Sequence, residues 1–321
     1  MTGFINPLTT LTEPDSLWLI GGVFGLLTVA SVVGWVLAAR TKNGGESARR
    51  TVANLNARLR AWWVIVVGCI LALIFGRPGA AILFALVSWL ALREFVALVP
   101  LRAGDGQTLF WVTATMLPLQ YWLVASGWRD GFIVLVPVGV FALVPVALAV
   151  RGEAEGYLER AALVVFGWMA CVYGVSHAPA LLALPMPSAG PRLLAFYLLV
   201  VQLSDVFQYV WGKLLGRHKI APRISPNKTW EGFLLGTGTA TAVGAALSWV
   251  TPFNHWQAAG MSLVVTVLGF AGGLVLSAVK RDRGVKDYGT LVQGHGGVLD
   301  RVDSVCFSAP AFYYLTRIFF T

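Results

Sequence analysis

Charge is what this chain has least of: 12% of its 321 residues are charged while 57% are hydrophobic, against roughly 25% charged in soluble domains. That balance excludes a soluble globular domain. Cysteine is nearly absent too. Cys69, Cys171 and Cys306 lie in or beside apolar runs with no C-x-x-C spacing, which excludes a disulfide scaffold and a thiolate metal centre and leaves three small packing residues. Of four histidines, His177 and His255 stand alone and read as packing or interfacial residues, since a ring nitrogen needs partners to bind metal or move protons. Residues 1–16 contain no Lys or Arg, so the n-region of a cleaved signal peptide is missing and the first apolar run is expected to remain.

What the chain does have is a succession of apolar runs. A hydrocarbon core about 30 Å thick needs roughly 20 helical residues to cross it. The pattern predicts spans near 17–39, 61–75, 80–98, 107–126, 131–149, 161–181, 193–213, 230–250, 258–279 and 305–320. The expected fold is therefore an all-α, multi-pass integral membrane protein of about ten helices. With the N-terminus outside, 20 of the 24 Lys and Arg residues fall in inside segments, and only Arg77, Arg129, Arg192 and Arg317 fall outside. Such asymmetry is what the positive-inside rule requires. The net charge of +9 is thus a property of cytoplasmic loops. It points to anionic lipid headgroups and nucleotide phosphates as partners, and not to nucleic acid.

Residues 1–190 read as an N-terminal set of transmembrane helices with a basic segment, and 191–321 as the catalytic region. In the first part, Ala48, Val52, Leu55 and Leu59 recur at helical spacing among Arg49, Arg50, Arg58 and Arg60, which predicts either a short helix on the membrane surface or a plain basic linker. Arg93-Glu94 is read as a structural pair at a helix end, and Glu153, Glu155 and Glu159 as a solvated loop face. Chemistry is expected from the two cytoplasmic loops at 213–229 and 280–304.

Asp205 lies about eight residues, roughly 12 Å, inside a span, and a carboxylate at that depth faces a polar cavity. Gln202 and Tyr209 share its helical face, predicting a polar stripe toward the bundle interior. Lys213, Arg217, His218, Lys219 and Arg223 precede Ser225-Pro226-Asn227-Lys228-Thr229-Trp230-Glu231-Gly232. Ser225 suits an N-cap and Pro226 the first helical position, giving a helix N-terminus ringed by cations and ready for an anion. Residues 277–304 gather Lys280, Arg281, Arg283, Lys286 and Arg301 with Asp282, Asp287, Asp300 and Asp303. Asp300, Asp303 and Ser304 fall on one helical face, just after the flexible Gly294-His295-Gly296-Gly297. Hard oxygen ligands favour Mg²⁺. Carboxylates for a metal, cations for oligophosphate and a glycine loop are what phosphoryl transfer needs.

The run from Ser277 through Lys280-Arg281 and Lys286-Asp287 to His295-Gly296-Gly297-x-x-Asp300-Arg301-x-Asp303 resembles the signature of the phosphatidate cytidylyltransferases, the CDP-diacylglycerol synthases. Ser204-Asp205-x3-Tyr209 and residues 225–232 are similar to that family's two preceding blocks. The resemblance implies transfer of the cytidylyl group of CTP to phosphatidate, giving CDP-diacylglycerol and pyrophosphate, with Mg²⁺ and room for a second cation. It implies Asp300, Asp205 and Asp287 as metal ligands and Asp287, Asp300, Asp303 and Lys286 as the catalytic set. Lys228, Lys280, Arg281, His295, Arg301 and Ser225 would bind the nucleotide. It also implies an active site on the cytoplasmic face of a bacterial inner membrane, embedded among membrane lipids, and leaves room for a homodimer. One departure stands out. Where the family carries acids, this chain has Gly273 and Leu276, so either Asp205 or Asp282 substitutes or the metal site differs. The alternatives are another lipid phosphate or a polyprenol phosphate as acceptor, an anion transporter, and a catalytically inactive lipid-binding relative.

Overall fold

The computed structural model describes residues 12–41, 45–186, 189–289 and 296–321. Its elements in chain order are α1 (Pro14–Arg40), α2 (Glu46–Ile74), α3 (Gly76–Val96), α4 (Asp105–Ser126), α5 (Arg129–Ala149), α6 (Tyr157–Ala183), α7 (Gly190–Leu215), β1 (Lys219–Ala221), β2 (Ser225–Thr229), α8 (Trp230–Ala246), α9 (His255–Asp282) and α10 (Leu299–Phe320). Among the described residues, eight helices, α1 to α7 and α9, are long and apolar enough to cross a membrane. The all-α, multi-pass architecture is that expected from the apolar runs.

The count of about ten spans is not reproduced. The runs at 230–250 and 305–320 do form helices, but α8 has only 17 residues, and α10 opens on Asp300, Arg301 and Asp303, which dilutes its apolar character. The basic segment also differs from a separate surface helix. It is continuous with the second span, because α2 runs unbroken for 29 residues from Glu46 with no glycine or proline near the junction to stop it; Gly44 lies outside the described residues.

Two helices widen locally. α5 passes through a π-helical turn over Leu135–Val140, around Pro137, which has no amide to donate. α6 does the same over Met169–Gly174. Here Gly174 lies so close to the backbone of Cys306 on α10 that any Cβ would strike its carbonyl.

The four C-terminal helices pack in sequence order, α7 on α8, α8 on α9 and α9 on α10. Small residues make the approach possible, as membrane helices without a hydrophobic driving force require. A Cβ at Gly236 of α8 would fall 2.6 Å from the Gln208 backbone of α7, and one at Gly272 of α9 would fall 2.6 Å from the Asp303 carbonyl of α10. This closeness brings polar side chains of α7, α9 and α10 within reach of one another.

Ion pairs and hydrogen bonds tie together one end of the bundle. Arg160 at the start of α6 pairs with Asp105 at the start of α4 at 3.1 Å, both buried. Arg283 after α9 pairs with Glu159 at 2.7 Å, while Glu153 and Glu155 both pair with Arg102. The three glutamates are exposed, as the solvated face expected of them requires, and each also makes an ion pair to a neighbouring segment. At the opposite end Arg192 reaches Asp15 at 2.9 Å. His177 is wholly buried among Phe132, Tyr173 and Tyr313, with Nδ1 2.7 Å from the Tyr173 carbonyl oxygen. It is a packing residue, as its isolation in sequence suggested. Cys69, Cys171 and Cys306 are unpaired.

Candidate active site

Between α7 and α8 the chain forms a short antiparallel hairpin, pairing Lys219 with Thr229 and Ala221 with Ser225. The expected Ser225 cap and Pro226 helix start are thus replaced by strand β2. The helix begins four residues later than expected, at Trp230, where the Thr229 hydroxyl accepts the Gly232 amide at 3.2 Å. Glu231 in the first turn accepts the Arg217 amide at 3.0 Å and lies 2.5 Å from His218 Nδ1. A strand delivers Lys228 differently from a helix. With alternate side chains on opposite faces, Lys228 turns inward to α9, where its ammonium donates to the Phe270 carbonyl at 3.3 Å and sits 4.4 Å from the Phe270 ring centroid.

Two polar centres lie at the mouth of α10. In the first, the Ser304 hydroxyl donates to Asp205 Oδ2 at 2.9 Å, and the Ser304 amide donates to Asp303 Oδ1 at 2.8 Å. One buried serine, 3% exposed, thereby links carboxylates 98 residues apart in sequence. Lys228 and Asp303 converge on Gly273. A Cβ at that glycine would lie 3.0 Å from Lys228 Nζ and 3.3 Å from Asp303 Oδ2. Burial pushes the Lys228 pKa down from its ordinary value, while the charges of Asp303 and Asp205 pull it up.

The second centre is the pair Lys280–Asp300, 2.7 Å apart with side chains 12% and 10% exposed. Asp300 is engaged at both oxygens: Oδ1 accepts Lys280, and Oδ2 accepts the amides of Tyr288 and Gly297, each at 2.9 Å. Gly296 has φ +85°, and a Cβ there would fall 2.6 Å from Asp300 Oδ2, so the turn into α10 needs glycine twice over. Tyr288, which the sequence did not single out, also donates its hydroxyl to the Leu276 carbonyl at 2.9 Å and holds its ring 5.3 Å from Lys280 Nζ.

The other expected site residues are placed as follows. Arg281 donates to the carbonyls of Ile224 and Val285 and so pins the hairpin to the end of α9. Lys286 and Asp287 are exposed on the loop after Gly284 and make no hydrogen bond or ion pair to the described residues. Arg301 is half-buried in the first turn of α10, and Ser225 is half-buried on β2. His295 and Gly294 lie outside the described residues. Asp282 pairs with Arg283 at 3.1 Å. The polar stripe expected around Asp205 is not formed: Gln202 lines an apolar cavity with α1 and α2, Tyr209 is exposed, and Asp205 meets Ser304 of α10 instead.

The donor set present suits a hard divalent cation. Asp205 and Asp303 offer carboxylate oxygens around one serine, and among the described residues no third His, Cys, Asp or Glu joins them as a ligand group. Mg²⁺ is held in this manner, by one or two carboxylates with substrate phosphates and water completing the octahedron. Asp300 stands beside them with both oxygens engaged, one by Lys280 and the other by two backbone amides.

The model of a family described as "Cytidylyltransferase family" matches residues 56–319. An uncharacterized protein, YnbB, from Escherichia coli (strain K12) is 36% identical over 301 residues, covering 92% of this chain and 96% of the relative. A phosphatidate cytidylyltransferase from Staphylococcus aureus (strain COL) is 42% identical over 125 residues, or 38% of this chain and 48% of that protein. One from Synechocystis is 43% identical over 113 residues, 35% of this chain and 38% of the relative. The match thus spans about half or less of those two enzymes.

Proposed function

The chain belongs to the cytidylyltransferase family, and from that premise we propose that it transfers the cytidylyl group of CTP to phosphatidate at the cytoplasmic face of the membrane. The observation that carries this reading is the meeting of Asp205, Asp303, Ser304 and Lys228 at the site end of the bundle. In the reaction, a phosphate oxygen of phosphatidate attacks the α-phosphorus of CTP. A new P–O bond forms, the bond between the α-phosphorus and the bridging oxygen breaks, and pyrophosphate leaves with that bonding pair. No protein nucleophile is needed, so the protein's task is positioning and charge stabilisation.

Asp205 and Asp303 would hold Mg²⁺, which when bound neutralises phosphate charge and aligns the reacting oxygens. Lys228 presents its ammonium beside those carboxylates, where a phosphate oxygen gains a charge-assisted hydrogen bond. Lys280, oriented by Asp300, supplies a second cation. The lipid acceptor keeps its acyl chains in the bilayer while CTP arrives from water. Helix α7, which carries Asp205, also lines an apolar cavity of about 170 Å³ with α1 and α2.

Purified protein given labelled CTP, phosphatidate and Mg²⁺ should form CDP-diacylglycerol. Chelation of the metal should stop turnover, and Asp205→Asn should lower it by about 100-fold or more, the scale of losing a charge-stabilising group. Folded protein that makes no CDP-lipid would refute the reading. Offering another lipid phosphate or a polyprenol phosphate in competition identifies the acceptor.

A further inference from the structure

Glu94 ends a membrane helix, α3, far in sequence from the polar centres, and nothing in its local sequence distinguishes it from a structural charge. In the fold it is 7% exposed. Its two carboxylate oxygens each accept one backbone amide from the start of α10: Oε1 that of Val298 and Oε2 that of Leu299, both at 2.9 Å. The neighbouring Arg93 is turned to the Trp89 ring, 6.0 Å away. The buried charge is thus met by the unsatisfied amides and positive dipole end of α10, the arrangement that favours an anion there.

Two glycines are cut to fit this carboxylate. A Cβ at Gly289 would fall 2.7 Å from Glu94 Oε1, and one at Gly297 would collide with Oε2. Adjacent to Glu94, Phe95 stacks on Tyr288 with centroids 6.2 Å apart. Tyr288 in turn donates its amide to Asp300. The end of α3 therefore grips Tyr288 and Gly289 and the first turn of α10, the turn that carries Asp300 and leads directly to Asp303 and Ser304.

We propose that Glu94 is a positioning residue, holding the start of α10 so that Asp300 stays against Lys280 and Asp303 and Ser304 stay against Asp205. A buried carboxylate with backbone amides as partners is costly to keep for stability alone. Its two parallel bonds instead fix the rotation and height of α10 relative to α3, which sets where the carboxylates stand. Because the proposal concerns the cytidylyl-transfer reading of the same site, its test is built to separate the two.

Glu94→Gln keeps the shape but replaces one acceptor oxygen with an NH₂ group aimed at an amide. The expected result, measured on the folded fraction in detergent, is a fall in kcat of about tenfold or more, the rate equivalent of one charge-assisted hydrogen bond. The KM for CTP should stay within about threefold, because the interaction lost acts on alignment and not on nucleotide binding. Hydrogen exchange of a peptide covering 296–304 should quicken. Glu94→Asp, whose carboxylate stops about 1.5 Å short but keeps its charge, should recover part of kcat; it carries the same test if the Gln variant does not fold. Wild-type protein without turnover would overturn the transfer reading, and the proposal would then be judged on exchange. Unchanged exchange in both variants, or unchanged kcat per folded molecule beside an active wild type, would overturn the proposal.

Discussion

Replacing Asp300 by Asn tests how the second polar centre is held. Lys280 and Asp300 are 2.7 Å apart and only 12% and 10% exposed, so the mutation leaves a largely buried ammonium without its counter-charge. Breaking such a pair from one side costs about 3–5 kcal/mol. The residual solvent contact favours the lower end. The Asn oxygen can still accept the Tyr288 and Gly297 amides that Asp300 Oδ2 holds at 2.9 Å, but its NH₂ then faces Lys280, donor against donor. A loss of about 3 kcal/mol corresponds to a melting temperature lower by about 6 °C at about 2 °C per kcal/mol for a chain of this size. Adding Lys280→Met removes the stranded ammonium. The double variant should therefore be more stable than Asp300→Asn alone by about 1–2 kcal/mol, a coupling typical of contacting groups. Both variants should have low turnover, since the single variant leaves the Lys280 ammonium without the carboxylate that orients it and the double variant removes that ammonium. Thermal unfolding in detergent, followed by tryptophan fluorescence and paired with CDP-lipid formation, measures all of this. Additive stabilities, or a single variant within about 0.5 kcal/mol of wild type, the range of an ordinary surface substitution, would refute the buried-pair account.

Two further substitutions separate site from scaffold. Gly273→Ala places a methyl 3.0 Å from Lys228 Nζ and 3.3 Å from Asp303 Oδ2. The flexible lysine is expected to yield, with turnover falling about tenfold or more while stability moves by about 1 kcal/mol or less; full activity would show that Lys228 need not stand there. Arg160→Leu strands the buried Asp105 carboxylate and should cost about 3–5 kcal/mol of stability with no change in kcat per folded molecule, read by thermal unfolding and the same assay.

Much of this protein is legible in its sequence. Apolar runs of about 20 residues between basic loops announce a helical membrane protein, because a bilayer offers backbone amides no other partner. The concentration of Asp, Lys and Arg in residues 277–304 marks the candidate site, since charge in so apolar a chain needs a reason to be there. Local spacing could not say which groups meet. It placed Asp300, Asp303 and Ser304 together on one helical face, yet Asp300 turns to Lys280 while Ser304 turns to Asp205. It suggested that residue 225 caps a helix, yet pairing with β1 makes that stretch a strand and swings Lys228 toward α9.

Glu94 and Tyr288 were beyond reach of any sequence pattern, as their partners lie 204 residues away in the first case and in a loop without periodicity in the second. Helix periodicity reports what shares a face of one helix. The meeting of α3, α7, β2, α9 and α10 depends on glycines that let backbones touch and on buried carboxylates that must find donors, and those conditions are satisfied only when the whole bundle is assembled.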